Sequence, residues 1–415
     1  MSSSAQGMRF GTALLHAGCP GGRTTPASTT VPIYQTSAFP QESAAKLAGI
    51  FENRQPGFCY TRVGNPTVAA FEERMAAIEG GRCALACASG MAAIFNALGG
   101  ICEAGDELSA SGCLYGGTLE LFEDLERMGI GVHRVDEMTA EALEAVVTDR
   151  TRLVFAETIS NPKLDVFDIP AISEWCHAKG LPLVIDNTVA SPYLCRPLEL
   201  GADIVVESTS KYINGGGNAI SGAIVDSGHF SWDPERYPAL AKWRRFGPFA
   251  FIARLRGGLW RDTGACLAPV TAFLNCVGLE TLEVRMEREC DNALALAEWL
   301  DGSGLVDEVG YLGLPGAPGH ELAERQFGGR FGALLTFRAG SKERAFRFVD
   351  KMRYALRASN IGDVKTLVLH PASTIFAEVS EEERAVAGVF DDTIRVSVGI
   401  EDIRDLIEDF QQALA

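Results

Sequence analysis

The 415-residue sequence contains no run of about 18 or more apolar residues, the length with which a helix crosses a bilayer. Residues 1–18 also lack a charged segment followed by an apolar one, which is the pattern of a secretory signal. Both absences argue against a membrane-spanning or exported protein. We therefore expect a cytoplasmic protein.

Positive charge is scarce, since 37 Lys and Arg residues stand against 54 Asp and Glu residues, for a formal net charge of −17. A surface of this sign repels phosphate backbones and anionic lipids. We therefore expect neither nucleic acid nor a membrane as a partner. Single positive pockets remain compatible with this balance.

No pair of cysteines has Cys-x-x-Cys spacing, although the chain contains 11 cysteines; Cys83 and Cys87 are the closest pair. The six histidines are dispersed as well. Scattered residues of these types favour free, buried thiols over disulfide bonds or a metal site. We predict no bound metal.

Hydrophobic residues make up 47% of the chain and charged residues 22%, an ordinary globular composition with enough material for a core. Short apolar runs alternate with helical patterns, which predicts an α/β fold with a mostly parallel central sheet flanked by helices. The predicted strands are 83–88, 107–109, 132–135, 153–156, 183–185, 204–206 and 219–225.

The pattern divides the chain into three parts. Residues 1–65 have weak periodicity and many Thr, Ser, Pro and Gly residues, so we interpret them as an extended arm. Residues 66–267 form the predicted α/β domain. Residues 268–415 begin with a long helical stretch and continue with strand-like runs and further helices, which predicts a smaller α+β C-terminal domain.

Two charged residues, Asp186 and Lys211, each follow an apolar run and so lie at the carboxyl ends of predicted strands, where ligands bind in such sheets. Alone, Asp186 is explained as a helix cap or turn residue, and Lys211 as a surface lysine. Together they fit pyridoxal phosphate, because a lysine bonds the cofactor aldehyde and an acid keeps the ring nitrogen protonated.

Phosphate-binding candidates occur at two places. Ser89, Gly90 and Met91 follow a predicted strand and open a helix, whose backbone N–H groups attract phosphate; a plain serine N-cap is the equal alternative. Ser208 and Ser210 offer hydroxyl groups beside the predicted cofactor lysine.

Four further side chains have both a structural and a functional interpretation. Tyr60 and Arg62 precede a Pro-Thr helix start, and Arg62 has the geometry to bind a phosphate. Tyr115 opens a helix and either packs in the core or stacks on a planar cofactor. Arg395 stands on an alternating strand, where it either faces solvent or binds a substrate carboxylate.

The order of these motifs resembles the cysteine/methionine-metabolism pyridoxal phosphate enzymes, the family of cystathionine synthases and lyases, over nearly the whole chain. The matching segments are 60–67, 89–93, 115–118, 157–162, Asp186, Lys211, 362–363, 370–373 and 395–401. The resemblance implies an aspartate-aminotransferase-like fold and a homotetramer of two dimers with shared active sites.

The resemblance also implies a role for each site residue. Lys211 would carry the cofactor, Asp186 would pair with its ring nitrogen, Tyr115 would stack on the ring, and Asn161 would lie near its phenolic oxygen. The residues that would hold the phosphate are Ser89, Gly90, Met91, Ser208 and Ser210, with Tyr60 and Arg62 donated by the arm of the neighbouring subunit. Arg395 and Ser359 would bind the substrate carboxylate.

Local segments favour the O-acetylhomoserine sulfhydrylase branch of this family, namely 246–264, 278–282 and 360–367. Gly117 stands where methionine γ-lyases carry a reactive cysteine. The chain departs from the family at Thr374-Ile375-Phe376, where a histidine is usual. We expect γ-replacement by sulfide or a thiol on an activated homoserine, with Lys211 and Tyr115 catalytic; a γ-lyase, a cystathionine γ-synthase and a catalytically idle carrier remain the alternatives. The leaving group, whether acetyl, succinyl or phosphoryl, stays open.

Overall fold

The structure is a computed structural model that describes residues 7–18 and 28–415. Its larger sheet has seven strands in the order β1-β7-β6-β5-β4-β2-β3. Those strands are β1 (Cys83–Cys87), β2 (Glu107–Ser111), β3 (Gly131–Val135), β4 (Thr151–Glu157), β5 (Leu183–Asp186), β6 (Ile204–Glu207) and β7 (Gly222–Asp226). The strands from β6 to β3 pair in parallel, whereas β7 pairs antiparallel with both β6 and β1. The mostly parallel sheet predicted from the sequence is confirmed.

The parallel strands β5 and β6 are buried on both faces, as is nearly all of β4, which explains their apolar sequences, whereas β3 at the edge of the sheet is largely unburied. Along β5, Leu183 and Ile185 pack into one hydrophobic cluster, while Val184 between them packs into the cluster on the opposite face. Each such side chain, fully removed from water, contributes roughly 1.5–3 kcal/mol. Helices therefore cover the sheet on both sides.

Helices of the first two thirds of the chain connect and flank these strands. They are α1 (Phe10–His16), α2 (Ala44–Phe51), α3 (Pro66–Glu79), α4 (Gly90–Ile101), α5 (Gly116–Arg127), α6 (Ala140–Val146), α7 (Ile169–Ala178), α8 (Ser191–Leu194), α9 (Ala250–Arg256) and α10 (Leu259–Thr263). Helix α3 illustrates the local signals: Asn65 caps it by accepting the Thr67 N–H at 2.9 Å, Pro66 opens it, and Gly80 ends it with a φ of 74°.

The predicted long helical stretch after residue 268 is two helices, α11 (Pro269–Leu279) and α12 (Leu282–Ser303). The side chain of Arg285 contacts the residues at this interruption. Its Nη2 donates to the Gly278 carbonyl at 2.9 Å and its Nε donates to the Thr281 hydroxyl at 3.1 Å, so the end of α11 is capped from α12.

A second sheet follows, with five strands in the order β10-β11-β12-β9-β8. The strands are β8 (Glu308–Gly310), β9 (Leu334–Arg338), β10 (Leu356–Arg357), β11 (Leu367–Leu369) and β12 (Thr393–Ser397), and the helices among them are α13 (His320–Phe327), α14 (Lys342–Lys351), α15 (Glu381–Val386) and α16 (Ile403–Leu414). A separate hydrophobic cluster lies between this sheet and its helices. The division at residues 65 and 267 stays a prediction.

In the part of the chain described by the structure, no helix combines the length and apolarity needed to span a bilayer. In the same ranges, 7–18 and 28–415, no group of three or more His, Cys, Asp or Glu residues is arranged to hold a metal ion. Residues 1–6 and 19–27 of the predicted arm lie outside the described residues.

Candidate active site

The carboxyl ends of β4, β5 and β6 border a cleft that encloses about 920 Å³, part of it open to solvent. All of the predicted site residues line this cleft except Tyr60 and Arg62. The lining residues are Ser89, Gly90, Met91, Ile94, Tyr115, Glu157, Asn161, Asp186, Thr188, Val189, Ser208, Ser210, Lys211, Ile220, Ser359, Asn360, Ile361, Ile375 and Arg395. The two sheets therefore contribute to one site.

The turn that follows β6 positions Lys211, whose N–H donates to the Ser208 carbonyl at 3.1 Å. The side-chain amine donates to Oδ1 of Asn360 at 2.6 Å. Burial, together with the positive charge of Arg395, lowers the pKa of Lys211 to about 8. A larger fraction of this amine than of an ordinary lysine is therefore neutral near physiological pH, which suits both a nucleophile and a base.

Asp186 ends β5, and its Oδ1 accepts the Thr188 N–H at 2.9 Å. Burial raises the pKa of this carboxyl to about 6, against the opposing effect of the hydrogen bonds from Thr188. Glu157, which ends β4, is buried beside it, and its Oε1 accepts the Tyr115 N–H at 2.7 Å. Oε2 of Glu157 is buried with no hydrogen-bond partner among the described residues.

The predicted phosphate-binding segment lies where α4 begins. The Ser89 hydroxyl caps this helix by accepting the Ala92 N–H at 3.0 Å. A Cβ on Gly90 would lie 2.6 Å from the Ser208 Cβ, and a Cβ on Gly222 would lie 2.2 Å from the Ser89 carbonyl oxygen. Glycine at both positions therefore permits the helix start and the Ser208 turn to meet.

The two predicted phosphate-binding serines of the lysine turn differ in their surroundings. The N–H of Ser208 donates to the Thr188 hydroxyl at 2.8 Å, which fixes the turn against β5. The hydroxyl of Ser210 donates to the Ser221 carbonyl at 3.0 Å and accepts the Ser221 N–H at 2.8 Å. In this arrangement Ser210 holds the turn to the segment before β7, and its hydroxyl proton is engaged in the hydrogen bond to the Ser221 carbonyl.

Arg395 is buried on β12, the central strand of the smaller sheet, and does not face solvent. Its Nη1 donates to Oδ1 of Asn161 at 3.2 Å and its Nη2 donates to the Asn360 carbonyl at 3.0 Å. Nε is buried with no partner among the described residues. Burial lowers the pKa of Arg395 to about 10, so the guanidinium remains charged and available to an anionic ligand.

Tyr60 and Arg62 lie outside the cleft of their own chain. Arg62 donates to the Arg261 carbonyl at 2.8 Å, and its guanidinium stands 5.5 Å from the centre of the Tyr60 ring. The Tyr60 side chain is exposed. Within the single chain, neither side chain contributes to the lining of the cleft around Lys211.

A family model described as "Cys/Met metabolism PLP-dependent enzyme" matches residues 11–415. The chain belongs to this family.

Among curated relatives of this Cys/Met metabolism enzyme, O-acetyl-L-homoserine sulfhydrylase 1 of Thermus thermophilus is 41% identical, with 98% of this chain and 100% of the relative covered. O-acetyl-L-homoserine sulfhydrylase of Corynebacterium glutamicum is 39% identical, with 100% of this chain and 98% of the relative covered. A crystal structure described as a putative O-acetylhomoserine (thiol)-lyase of Campylobacter jejuni has a TM-score of 0.94 and 36% identity, covering 98% of this chain and 100% of that one; it contains N'-pyridoxyl-lysine-5'-monophosphate.

The cleft of this Cys/Met metabolism enzyme fits pyridoxal phosphate, the cofactor of the family. A buried amine with a lowered pKa faces it, a buried carboxyl that ionises near pH 6 borders it, and a helix begins at its edge. Gly90 and Gly222 keep that helix start free of side chains. The donor set therefore suits an aldehyde, a ring nitrogen and a phosphate.

Sequence reasoning assigned no role to several residues of the site, notably Glu157, Thr188 and Asn360. Thr188 carries a usable signal, because a hydroxyl two residues after Asp186 is placed to hydrogen-bond that carboxyl. Glu157 ends an apolar strand just as Asp186 does. Asn360 belongs to a loop without periodicity, and only the folded structure brings it to Lys211.

Proposed function

We propose that this enzyme catalyses γ-replacement on O-acetylhomoserine, in which sulfide or a thiol displaces acetate from Cγ. Sulfide gives homocysteine, and methanethiol gives methionine. The observation that carries the proposal is the full-length similarity to relatives named O-acetyl-L-homoserine sulfhydrylase, combined with an intact cleft around Lys211. A relative of Saccharomyces cerevisiae that is 40% identical is named homocysteine/cysteine synthase.

When bound, pyridoxal phosphate supplies a ring that accepts electrons from the substrate. In our proposal Lys211 bonds this cofactor and, once released, holds and moves protons at Cα and Cβ of the amino acid. Asp186 keeps a negative charge at the ring nitrogen. Asn161 would lie near the phenolic oxygen of the cofactor. The phosphate would be held by Ser89, Gly90, Met91 and Ser208, together with Ser210 once its hydroxyl proton turns from the Ser221 carbonyl to the phosphate.

Arg395, with Ser359, binds the substrate carboxylate, because its guanidinium is charged, buried and directed into the cleft. Tyr115 lines the cleft, where it would stack on the cofactor and could move a proton at the leaving group or thiol. Gly117 has no side chain and so places no thiol beside this tyrosine. A Cβ at this position would lie 2.7 Å from the Tyr115 ring, so the site leaves no room for a cysteine without rearrangement. That geometry favours replacement over a lyase site built around a cysteine.

We further propose a homotetramer of two dimers, in which Tyr60 and Arg62 enter the neighbouring subunit's cleft. Large apolar side chains of the arm are exposed in the single chain, among them Ile33, Phe51 and Phe58. An apolar exposed surface of this kind favours association with a second subunit. Arg62 contacts the Arg261 carbonyl and the Tyr60 ring and does not line the cleft of its own chain.

The proposed location is the cytoplasm. All cysteines of the described ranges are free thiols, many of them buried. Free thiols on this scale suit a reducing compartment. Cell fractionation followed by detection of the protein tests this proposal, and recovery in an exported fraction would contradict it.

Incubation of the purified protein with O-acetylhomoserine, with and without sulfide, tests the proposed reaction. We expect homocysteine and acetate in equal amounts, formed only with sulfide, and no product with a Lys211→Ala control. Release of a 2-oxo acid and ammonia from methionine or cystathionine, without sulfide-dependent product, would identify a γ-lyase. Product from cysteine as the thiol would identify a cystathionine γ-synthase, and parallel assays with O-succinyl- and O-phosphohomoserine define the leaving group.

The absorbance of the purified protein separates an enzyme from an idle carrier of the same fold. Lysine-bound pyridoxal phosphate absorbs in the visible range, so the wild type should be yellow and the Lys211→Ala variant should lack this band. A wild type that stays colourless after incubation with pyridoxal phosphate would remove the support for the proposed chemistry.

A further inference from the structure

The side-chain amide of Asn360 is the hydrogen-bond acceptor of the Lys211 amine. Nζ of Lys211 lies 2.6 Å from Oδ1 of Asn360, although 149 positions separate the two residues in the sequence. Lys211 follows β6 of the larger sheet, whereas Asn360 lies in the loop between β10 and β11 of the smaller one. The contact therefore joins the two halves of the cleft.

Backbone packing fixes the Asn360 loop against Lys211. The loop contains Gly362, at a φ of 69°, where a Cβ would lie 2.5 Å from the Tyr212 nitrogen and 2.9 Å from the Lys211 carbonyl carbon. The Gly362 N–H donates to the Ser397 hydroxyl at 2.9 Å. Because the loop is held at both the lysine backbone and β12, the amide is placed at Lys211 by more than its own hydrogen bond.

The same residue contacts the proposed carboxylate-binding group. Its main-chain carbonyl accepts Nη2 of Arg395 at 3.0 Å, while its side chain accepts the Lys211 amine. Asn360 thus connects the amine that leaves the cofactor with the guanidinium that receives the incoming amino acid. A change of its side chain leaves the carbonyl contact to Arg395 in place.

The electrostatic surroundings of Lys211 make a neutral acceptor useful. Arg395 on β12 brings a positive charge, and Asp186 on β5, Glu157 on β4 and the Tyr115 hydroxyl face the same cleft. Asp186 serves the ring nitrogen in the proposed function, so its charge is not available to hold the lysine. An amide oxygen accepts a hydrogen from an ammonium without adding a second negative charge to the cleft.

We propose that Asn360 is a positioning residue that receives the Lys211 ammonium whenever the lysine is released from the cofactor, and so keeps the amine in place for proton transfer. This inference rests on the proposed role of Lys211 as the cofactor lysine. Its consequence is that Asn360 stabilises the charged form of the released amine relative to the neutral form that bonds the cofactor again.

The test is the pH dependence of cofactor reloading. Full-length protein is stripped of cofactor, pyridoxal phosphate is added between about pH 6 and about pH 10, and the initial rate is followed by the absorbance of the lysine-bound cofactor, since only the neutral amine reacts. Wild type is compared with Asn360→Leu, which removes the acceptor at similar size, and Asn360→Asp, which adds a charge. Met128→Ala, a change at an exposed residue that ends α5 outside the cleft, is the control.

We expect the two Asn360 variants to shift the pH dependence of the reloading rate in opposite directions. General damage to the fold does not produce opposite shifts. For Asn360→Leu, the pH at which the reloading rate is half-maximal should fall by on the order of one pH unit, because the ammonium loses its acceptor. The half-maximal pH of Asn360→Asp should rise, and that of Met128→Ala should equal the wild-type value. Unchanged half-maximal pH values, or shifts of the same sign, would overturn the inference. A Lys211→Ala protein that still gains the lysine-bound band would instead overturn the role of Lys211 itself.

Discussion

Glu157 and Asp186 are register partners on the neighbouring parallel strands β4 and β5, so two buried carboxyl groups stand side by side at the base of the cleft. Burial, and then the charge of Asp186, raises the pKa of Glu157 well above its ordinary value, whereas burial raises the pKa of Asp186 to about 6. Asp186 is therefore the member of the pair that ionises first, and its charge favours a proton on Glu157.

Replacing each carboxyl group by its amide tests which of the two carries the negative charge. Glu157→Gln keeps a neutral group whose oxygen still accepts the Tyr115 N–H, so kcat should stay within about threefold of wild type. Asp186→Asn removes the charge at the proposed ring-nitrogen position, and kcat should fall about a hundredfold or more. Steady-state assays, with cofactor absorbance to measure occupancy, check both. An equal loss in the two variants would contradict the assignment.

The helix start at the proposed phosphate site requires Gly222. In Gly222→Ala the new Cβ would lie 2.2 Å from the Ser89 carbonyl oxygen, so the Ser89–Gly90 turn has to move. We expect weaker pyridoxal phosphate binding and a loss of about 1–3 kcal/mol in the free energy of unfolding. Gly302→Ala is the matched control, because no atom lies within 4 Å of its Cβ and it sits in α12. Cofactor titration of both variants measures the difference.

Mixing two inactive variants tests whether active sites are shared. Arg62→Ala damages the contribution to the neighbour, and Lys211→Ala damages the chain's own site. In a hybrid dimer one site keeps both groups, so random exchange at equal amounts should restore about a quarter of wild-type activity. The assay follows product formation after mixing. Absence of recovery, under conditions in which differently tagged wild-type subunits do exchange, would show that Arg62 serves no neighbouring site.

Arg395→Met removes a buried charge that faces Lys211 and the cleft. Since the guanidinium is the proposed partner of the substrate carboxylate, KM for O-acetylhomoserine should rise by about 10- to 100-fold. Its positive charge also lowers the pKa of Lys211, so the variant should shift that pKa upward. Steady-state kinetics at several pH values check both effects. An unchanged KM would exclude Arg395 as the residue that binds the substrate carboxylate.

The larger sheet and most of the site were predictable because their signals are local. Buried parallel strands are continuous apolar runs, and Asp186 and Lys211 follow two of them directly. Strand β7 begins at Gly222 and not at the predicted residue 219, because Ser221 is used by Ser210 and so precedes the strand pairing.

Other parts of the site depend on contacts that no local pattern reports. The alternation around Arg395 is equally compatible with a solvent-facing strand, and its burial follows from the central place of β12 in the smaller sheet. Asn360 meets Lys211 only because Gly362 permits its loop to approach the Lys211–Tyr212 backbone. Such placements depend on packing between the two sheets.

A buried carboxyl group away from the cleft gives a prediction about stability. Glu289 lies within α12, and both of its oxygens are buried with no hydrogen-bond partner among the described residues. Burial raises its pKa from 4.5 to about 8, against the opposing charge of Arg285 and with smaller contributions from Asp363 and Glu401. The folded protein therefore holds Glu289 protonated at neutral pH, whereas the unfolded chain releases that proton near its ordinary pKa.

Because the folded-state pKa is the higher one, the stability linked to Glu289 is fully present below about pH 4.5 and decreases as pH rises to about 8. Glu289→Gln lacks this titration. The free energy of unfolding of the variant relative to wild type should therefore increase between those two pH values, by at most about 1.4 kcal/mol per pH unit. Denaturant unfolding of the cofactor-loaded proteins at both ends of the range measures it. A difference that stays constant with pH would show that Glu289 is ionised in the folded protein throughout, with its charge balanced by Arg285.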